Sequence, residues 1–173
     1  PYGGVPPWDE VGEVELFVPA MEAAAAELEA EVEAITQNPE APTFENTLVA
    51  LEEAGEPLER VATLFFTLTS SLNTPEVQEA SKTIRPLVAR VQDRINFDSD
   101  LFSRVEAVYE DREGLDREAR RLVEKVRREM VRKGANLSPE DKEKLGELNQ
   151  ALAKLFTEFA NRVLADEDTW VVL

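Results

Sequence analysis

Apolar residues along this chain recur at steps of three and four, and short stretches of Pro, Gly, Asn and Asp cut that rhythm into helix-length pieces. Such a period lines one stripe of a helix, which must then be covered by a neighbour. Phe17, Met21, Ala24, Leu28, Val32 and Ile35 make the first stripe, from about Val14 to the stop at Asn38-Pro39. Thr43 reads as the N-cap of a short helix with Phe44, Leu48 and Leu51, closed at Gly55. Pro57 suits the first turn of the next, whose seam is Leu58, Val61, Phe65, Leu68 and Leu72. Thr74-Pro75-Glu76-Val77 starts another, reaching about Asn96 with a bend expected at Pro86. Asp98 opens a helix with Leu101, Val105 and Val108 on one face, closed by Gly114. Asp116 caps the next, with Ala119, Leu122, Val123, Val126 and Met130 inward before Gly134. Ser138-Pro139-Glu140-Asp141 begins the longest, whose stripe is Leu145, Leu148, Leu152, Leu155, Phe159 and Val163.

The fold class that follows is all-α, about seven amphipathic helices in an antiparallel bundle or layered array. No fixed repeat runs along the chain, which argues against a regular solenoid. Residues 1–13 read as an extended arm, because Pro1-Tyr2-Gly3-Gly4-Val5-Pro6-Pro7-Trp8 is too rich in Pro and Gly for a helix, and Trp8 is its natural anchor. Residues 14–166 form the helical domain. Residues 167–173 end in Thr169-Trp170-Val171-Val172-Leu173, a β-prone segment expected to be truncated, since a strand without a partner leaves its backbone groups unpaired. The chain starts with Pro rather than Met, so an N-terminus cut by processing or design is also expected.

Composition narrows the chemistry. The chain has no His and no Cys, so Cys nucleophiles, Ser-His-Asp triads, disulfides and the common zinc ligand sets are closed to it. Carboxylates are the abundant reactive groups, 36 Asp and Glu against 19 Lys and Arg, for a net charge of −17. Nearly all of that excess lies in residues 1–80, where Arg60 is the only base, while Arg112 to Lys133 make one helix mildly basic. Phosphate affinity needs a positive field, so no nucleic-acid partner is expected. No apolar run approaches the roughly 20 residues of a membrane span, and no membrane partner is expected.

Glu27 with Glu31, and Glu29 with Glu33, stand one turn apart and read as solvated faces, because a carboxylate metal site in a bundle would add histidines. Asp98-Ser99-Asp100 lacks the rest of a calcium loop and reads as a helix start. Leu64-Phe65-Phe66-Thr67-Leu68-Thr69 reads as core. No catalytic, cofactor-binding or metal residue is therefore assigned, and the substrate-lining residues stay unknown.

The stretch Asn38-Pro39-Glu40-Ala41-Pro42-Thr43-Phe44-Glu45-Asn46-Thr47-Leu48-Val49-Ala50-Leu51-Glu52 closely resembles the N-terminal region of the thimet-oligopeptidase-like zinc metallopeptidases, above all the bacterial peptidyl-dipeptidase branch. The likeness runs in order through Pro6-Pro7-Trp8-Asp9, Phe17-Val18-Pro19-Ala20, Arg60-Val61, Phe65-Phe66-Thr67-Leu68-Thr69, Leu101-Phe102-Ser103-Arg104-Val105 and Gly134-Ala135-Asn136-Leu137-Ser138, and on from Leu148-Asn149 to Trp170. The resemblance implies a non-catalytic helical domain forming part of a channel wall that admits short unfolded peptides. It also implies zinc, on a His-Glu-x-x-His helix, in a catalytic part that cannot be mapped onto this sequence. The partners implied are the remainder of the parent peptidase and such peptides. The compartment expected is cytoplasmic, with the periplasm left open. The rival expectation is a stand-alone helical interaction module derived from such a domain.

Overall fold

The computed structural model describes residues 13–72 and 74–167, and no strand occurs among them. A 3-10 turn, Val14–Leu16, leads into α1, Phe17–Thr36. A π-helical turn, Phe44–Val49, runs into the short α2, Ala50–Glu53, where the sequence pattern predicts one short α-helix. Then come α3, Glu56–Ser71, α4, Pro75–Asn96, and α5, Ser99–Glu110. A 3-10 turn, Arg112–Gly114, precedes α6, Arg117–Lys133, and α7 is Pro139–Glu167. The expected N-terminal arm, with Trp8, and the β-prone C-terminal segment, with Trp170, lie outside the described residues.

The helix ends follow their side-chain chemistry. Thr43, Thr74, Asp98 and Asp116 each accept a hydrogen bond from a first-turn N–H, and Ser138 Oγ accepts one from Asp141 N. Two ends need a left-handed residue, and glycine supplies it: Gly55 at φ 83° and Gly134 at φ 104°. α4 continues as a helix through Pro86.

α1 is the centre of the array, contacting α3, α4 and α5. Its N-terminal half, through Phe17, Met21, Ala24 and Ala25, meets Leu58 and Phe65 of α3 and Val77, Ile84, Leu87 and Val91 of α4. Its C-terminal half turns Val32 and Ile35 toward Leu101 and Val105 of α5 and Met130 of α6. A smaller cluster joins Leu48, Val108 and Val123 under the π-helical turn. The stripes of α1, α5 and α6 are thus buried or half-buried throughout. The α3 seam stays covered to Leu68, whereas Leu72 is exposed.

α7 departs from the expectation of an inward stripe. Leu148, Leu152, Leu155, Phe159 and Val163 of that stripe are exposed, as is Phe156, and only Leu145 is half-buried. The residues turned most directly to α4 are small or polar, while Leu152 and Phe156 border a cavity beside that contact. Asn149 donates to Asp93 Oδ1 at 2.6 Å, Gly146 passes over Phe97, and Thr157 is buried. α4 is the main neighbour of α7 within the described residues, and it takes the polar face.

Candidate functional site

The segment carrying the family resemblance is a structural joint. Thr43 and Asn46 form a reciprocal cap, Thr43 N donating to Asn46 Oδ1 at 2.8 Å and Asn46 N to Thr43 Oγ1 at 3.1 Å. Asn46 Nδ2 donates to Ala41 O, and its Oδ1 also accepts from Thr47 Oγ1. Arg104 on α5 reaches across, with Nη2 to Asn46 Oδ1 at 3.0 Å and Nη1 to Asn38 O and Glu40 O at 3.0 and 3.3 Å. Arg104 is 8% exposed and satisfied mainly by carbonyl dipoles, an arrangement that suits its planar fork and would defeat a lysine. The joint clamps the α1–α2 loop to α5. Sequence reading found the cap but not the Arg104 clamp, because a basic residue in an amphipathic helix gives no hint that it turns inward.

The paired glutamates are dispersed into separate tasks. Glu29 pairs with Arg94 at 2.6 Å, Glu31 accepts from Gly55 N at 2.8 Å, Glu33 accepts from Gln37, and Glu27 is exposed. Among the described residues no three Asp or Glu converge to hold a metal ion. With imidazole and thiolate missing from the sequence, this donor set does not fit zinc. Asp98 Oδ1 accepts from the N–H of Asp100 and Leu101, which makes Asp98-Ser99-Asp100 a helix start.

A second joint ties α5 to α6. Arg127 forms a two-point pair with Glu106 at 2.8 and 2.9 Å, and the guanidinium groups of Arg112 and Arg127 both lie over the Tyr109 ring, 3.9 and 4.4 Å from its centre. The hydrogen bonds that Arg127 donates to the Glu106 carboxylate hold its pKa above the ordinary value.

Three surfaces can meet something else. Exposed Glu45, Glu52, Glu53, Glu56 and Glu59 give the α2–α3 side an acidic face. On α6, Arg117, Arg121, Lys125, Arg128 and Arg132 are exposed along one stripe. Between α1, α3 and α4 an open groove of about 780 Å³ has Leu28, Leu58, Ala62, Phe66 and Val88 in its walls and Glu59 beside them. Phe65 is core, tilted against Phe17 at 5.4 Å, but Phe66 borders the groove with Arg85 over its ring at 5.0 Å. Of the aromatic stretch, one ring is therefore structural and the next is presented.

One cavity holds a perturbed acid. Asp93, Asn149, Arg132, Lys133, Leu152 and Phe156 are among the residues lining about 460 Å³ between α4, α7 and the end of α6. Burial raises the Asp93 pKa, opposed by its bond from Asn149, and its Oδ2 is buried without a partner. No helix among the described residues is long and apolar enough to cross a membrane.

The family model of the neurolysin/thimet oligopeptidase N-terminal domain matches residues 17–142. The dipeptidyl carboxypeptidase of Escherichia coli is 39% identical over 86% of this chain and 22% of its own length. Organellar oligopeptidase A of Arabidopsis thaliana is 29% identical over 92% of the chain and 20% of its own length. Oligopeptidase A of Salmonella typhimurium is 27% identical over 98% and 25%. The chain spans about a fifth to a quarter of the length of these relatives.

Proposed function

This chain belongs to the neurolysin/thimet oligopeptidase family, of which it carries the N-terminal domain, and from that premise we propose that it is the non-catalytic helical domain of a peptidase releasing dipeptides from peptide C-termini. The observation that carries the proposal is 39% identity to a dipeptidyl carboxypeptidase over 86% of the chain, on a helical array whose donor set does not suit zinc. Zinc, which would supply the Lewis acid and the activated water, belongs in this reading to the remainder of the protein.

The role of this domain is then steric and electrostatic. A rigid helical wall admits extended peptides and turns away folded ones. The acidic α2–α3 side favours cationic peptides over acidic ones, an effect that salt at about 0.1 M screens beyond about 10 Å. The partners proposed are the rest of the peptidase and short unfolded peptides.

The test is a chimaera in which residues 13–167 replace the matching region of the E. coli dipeptidyl carboxypeptidase. A working domain retains chelator-sensitive release of C-terminal dipeptides, while the 173-residue chain alone releases none. Replacing Glu52, Glu53, Glu56 and Glu59 by Gln should then lower kcat/KM for cationic peptides several-fold at low salt and leave neutral ones unchanged. An inactive but folded chimaera, or a gene that stops after Leu173, would favour the stand-alone interaction module instead.

A further inference from the structure

We infer that the outward stripe of α7 is the seat of the polypeptide that follows this domain in the longer peptidase, an assignment that rests on the function proposed for the whole protein. Gly146, Asn149, Ala153 and Thr157 lie on the side of α7 turned to α4. Beside that side, where Leu152 and Phe156 border the cavity against α4, begins a stripe that carries on round the helix, at roughly 100° per residue, through Val163, Phe159, Leu148 and Leu155. Each is 40–66% exposed. Glu147, Lys154, Glu158 and Arg162 occupy the remaining side, so the stripe itself carries no charge.

Six such side chains at roughly 100 Å² each give on the order of 600 Å² of apolar surface, at the upper end for a monomer. That approaches the roughly 800 Å² per partner of a specific interface. The family-domain match ends at residue 142, one turn into α7, and the E. coli relative is covered for 22% of its length. The stripe therefore stands where the matched domain has ended and most of such a protein is still to come. A second copy of this chain is the weaker occupant, because two bodies of net charge −17 repel on approach.

The experiment places Leu155→Glu with Phe159→Glu in the full-length protein read from the gene and, separately, in the 173-residue chain, with Leu72→Glu as the control at an exposed leucine elsewhere. In the short chain the pair should leave the melting temperature within about 2 °C of the parent and reduce binding of a hydrophobic dye. In the full-length protein the same pair should open the region after α7 to limited proteolysis and lower dipeptide release at least tenfold, while Leu72→Glu does neither. A full-length double variant with unchanged protease resistance and activity overturns the assignment. So does a short chain that dimerises with rising concentration and is made monomeric by the pair, or one whose dye binding rises on removal of residues 1–12. A full-length protein that cleaves no dipeptide but still loses protease resistance in the double variant would refute the proposed function and leave the docking surface standing.

Discussion

Replacing Arg104 by Met tests whether the Asn38–Thr47 joint is held by the guanidinium fork or by packing alone. Met keeps most of the aliphatic stem and removes three hydrogen bonds, those to Asn38 O, Glu40 O and Asn46 Oδ1. At about 1 kcal/mol net for each, the gross loss is about 3 kcal/mol. Two effects work the other way. Arg104 Nε is buried without a partner, so its removal relieves part of a desolvation cost, and Glu40 lies in an exposed loop where its carbonyl can turn to water. Asn46 Oδ1 also keeps its bonds from Thr43 N and Thr47 Oγ1. The expected net cost is about 2 kcal/mol, or about 4–8 °C in melting temperature for a domain of this size. Urea unfolding followed by far-UV circular dichroism measures it, with Arg104→Lys as the second variant. Lysine should recover less than half, since one ammonium cannot span three acceptors on two sides. A double-mutant cycle with Asn46→Ala should show coupling of about 1 kcal/mol. A cost below about 0.5 kcal/mol for Met, or a lysine variant as stable as the parent, would refute the reasoning.

Phe65→Ala should cost about 3–5 kcal/mol, because the ring is fully buried between α1 and α4 and packs on Phe17; a loss below about 1 kcal/mol in the same unfolding assay would contradict that placement. Gly134→Ala should cost about 2 kcal/mol, since φ is 104° and a Cβ would lie 2.9 Å from both Leu137 Cδ1 and Leu145 Cδ2; a variant as stable as the parent would mean the turn relaxes freely. Asp93→Asn tests the buried carboxyl. Burial raises its folded pKa above the unfolded one, so the folded state binds more protons between the two, and stability falls as pH rises through that window. The Asn variant loses that fall and should gain on the parent in melting temperature as pH is raised from about 3 to 7, and a difference independent of pH would exclude this role.

Helices, caps and glycine stops were set locally, and so could be read from order alone. Thr43, Thr74, Asp98, Asp116, Gly55 and Gly134 act on backbone groups within a few residues of themselves, and the stripes of α1, α5 and α6 are covered by the described helices. Family membership was legible for the same reason, since the Asn38–Glu52 stretch is a compact turn and cap with its own residue requirements. Which residue turns inward was not a local matter. Arg104 became a clamp only when α5 came beside the α1–α2 loop, and the glutamate pairs of α1 were parted by whichever of Arg94, Gly55 or Gln37 stood within reach. The same holds for α7. Its 3.6-residue period demanded a covered apolar face but could not name the cover, and in this fold α4 takes the polar side and leaves the stripe facing out. Periodicity is a property of one helix, whereas burial depends on two surfaces, and the second surface exists only once the chain has folded.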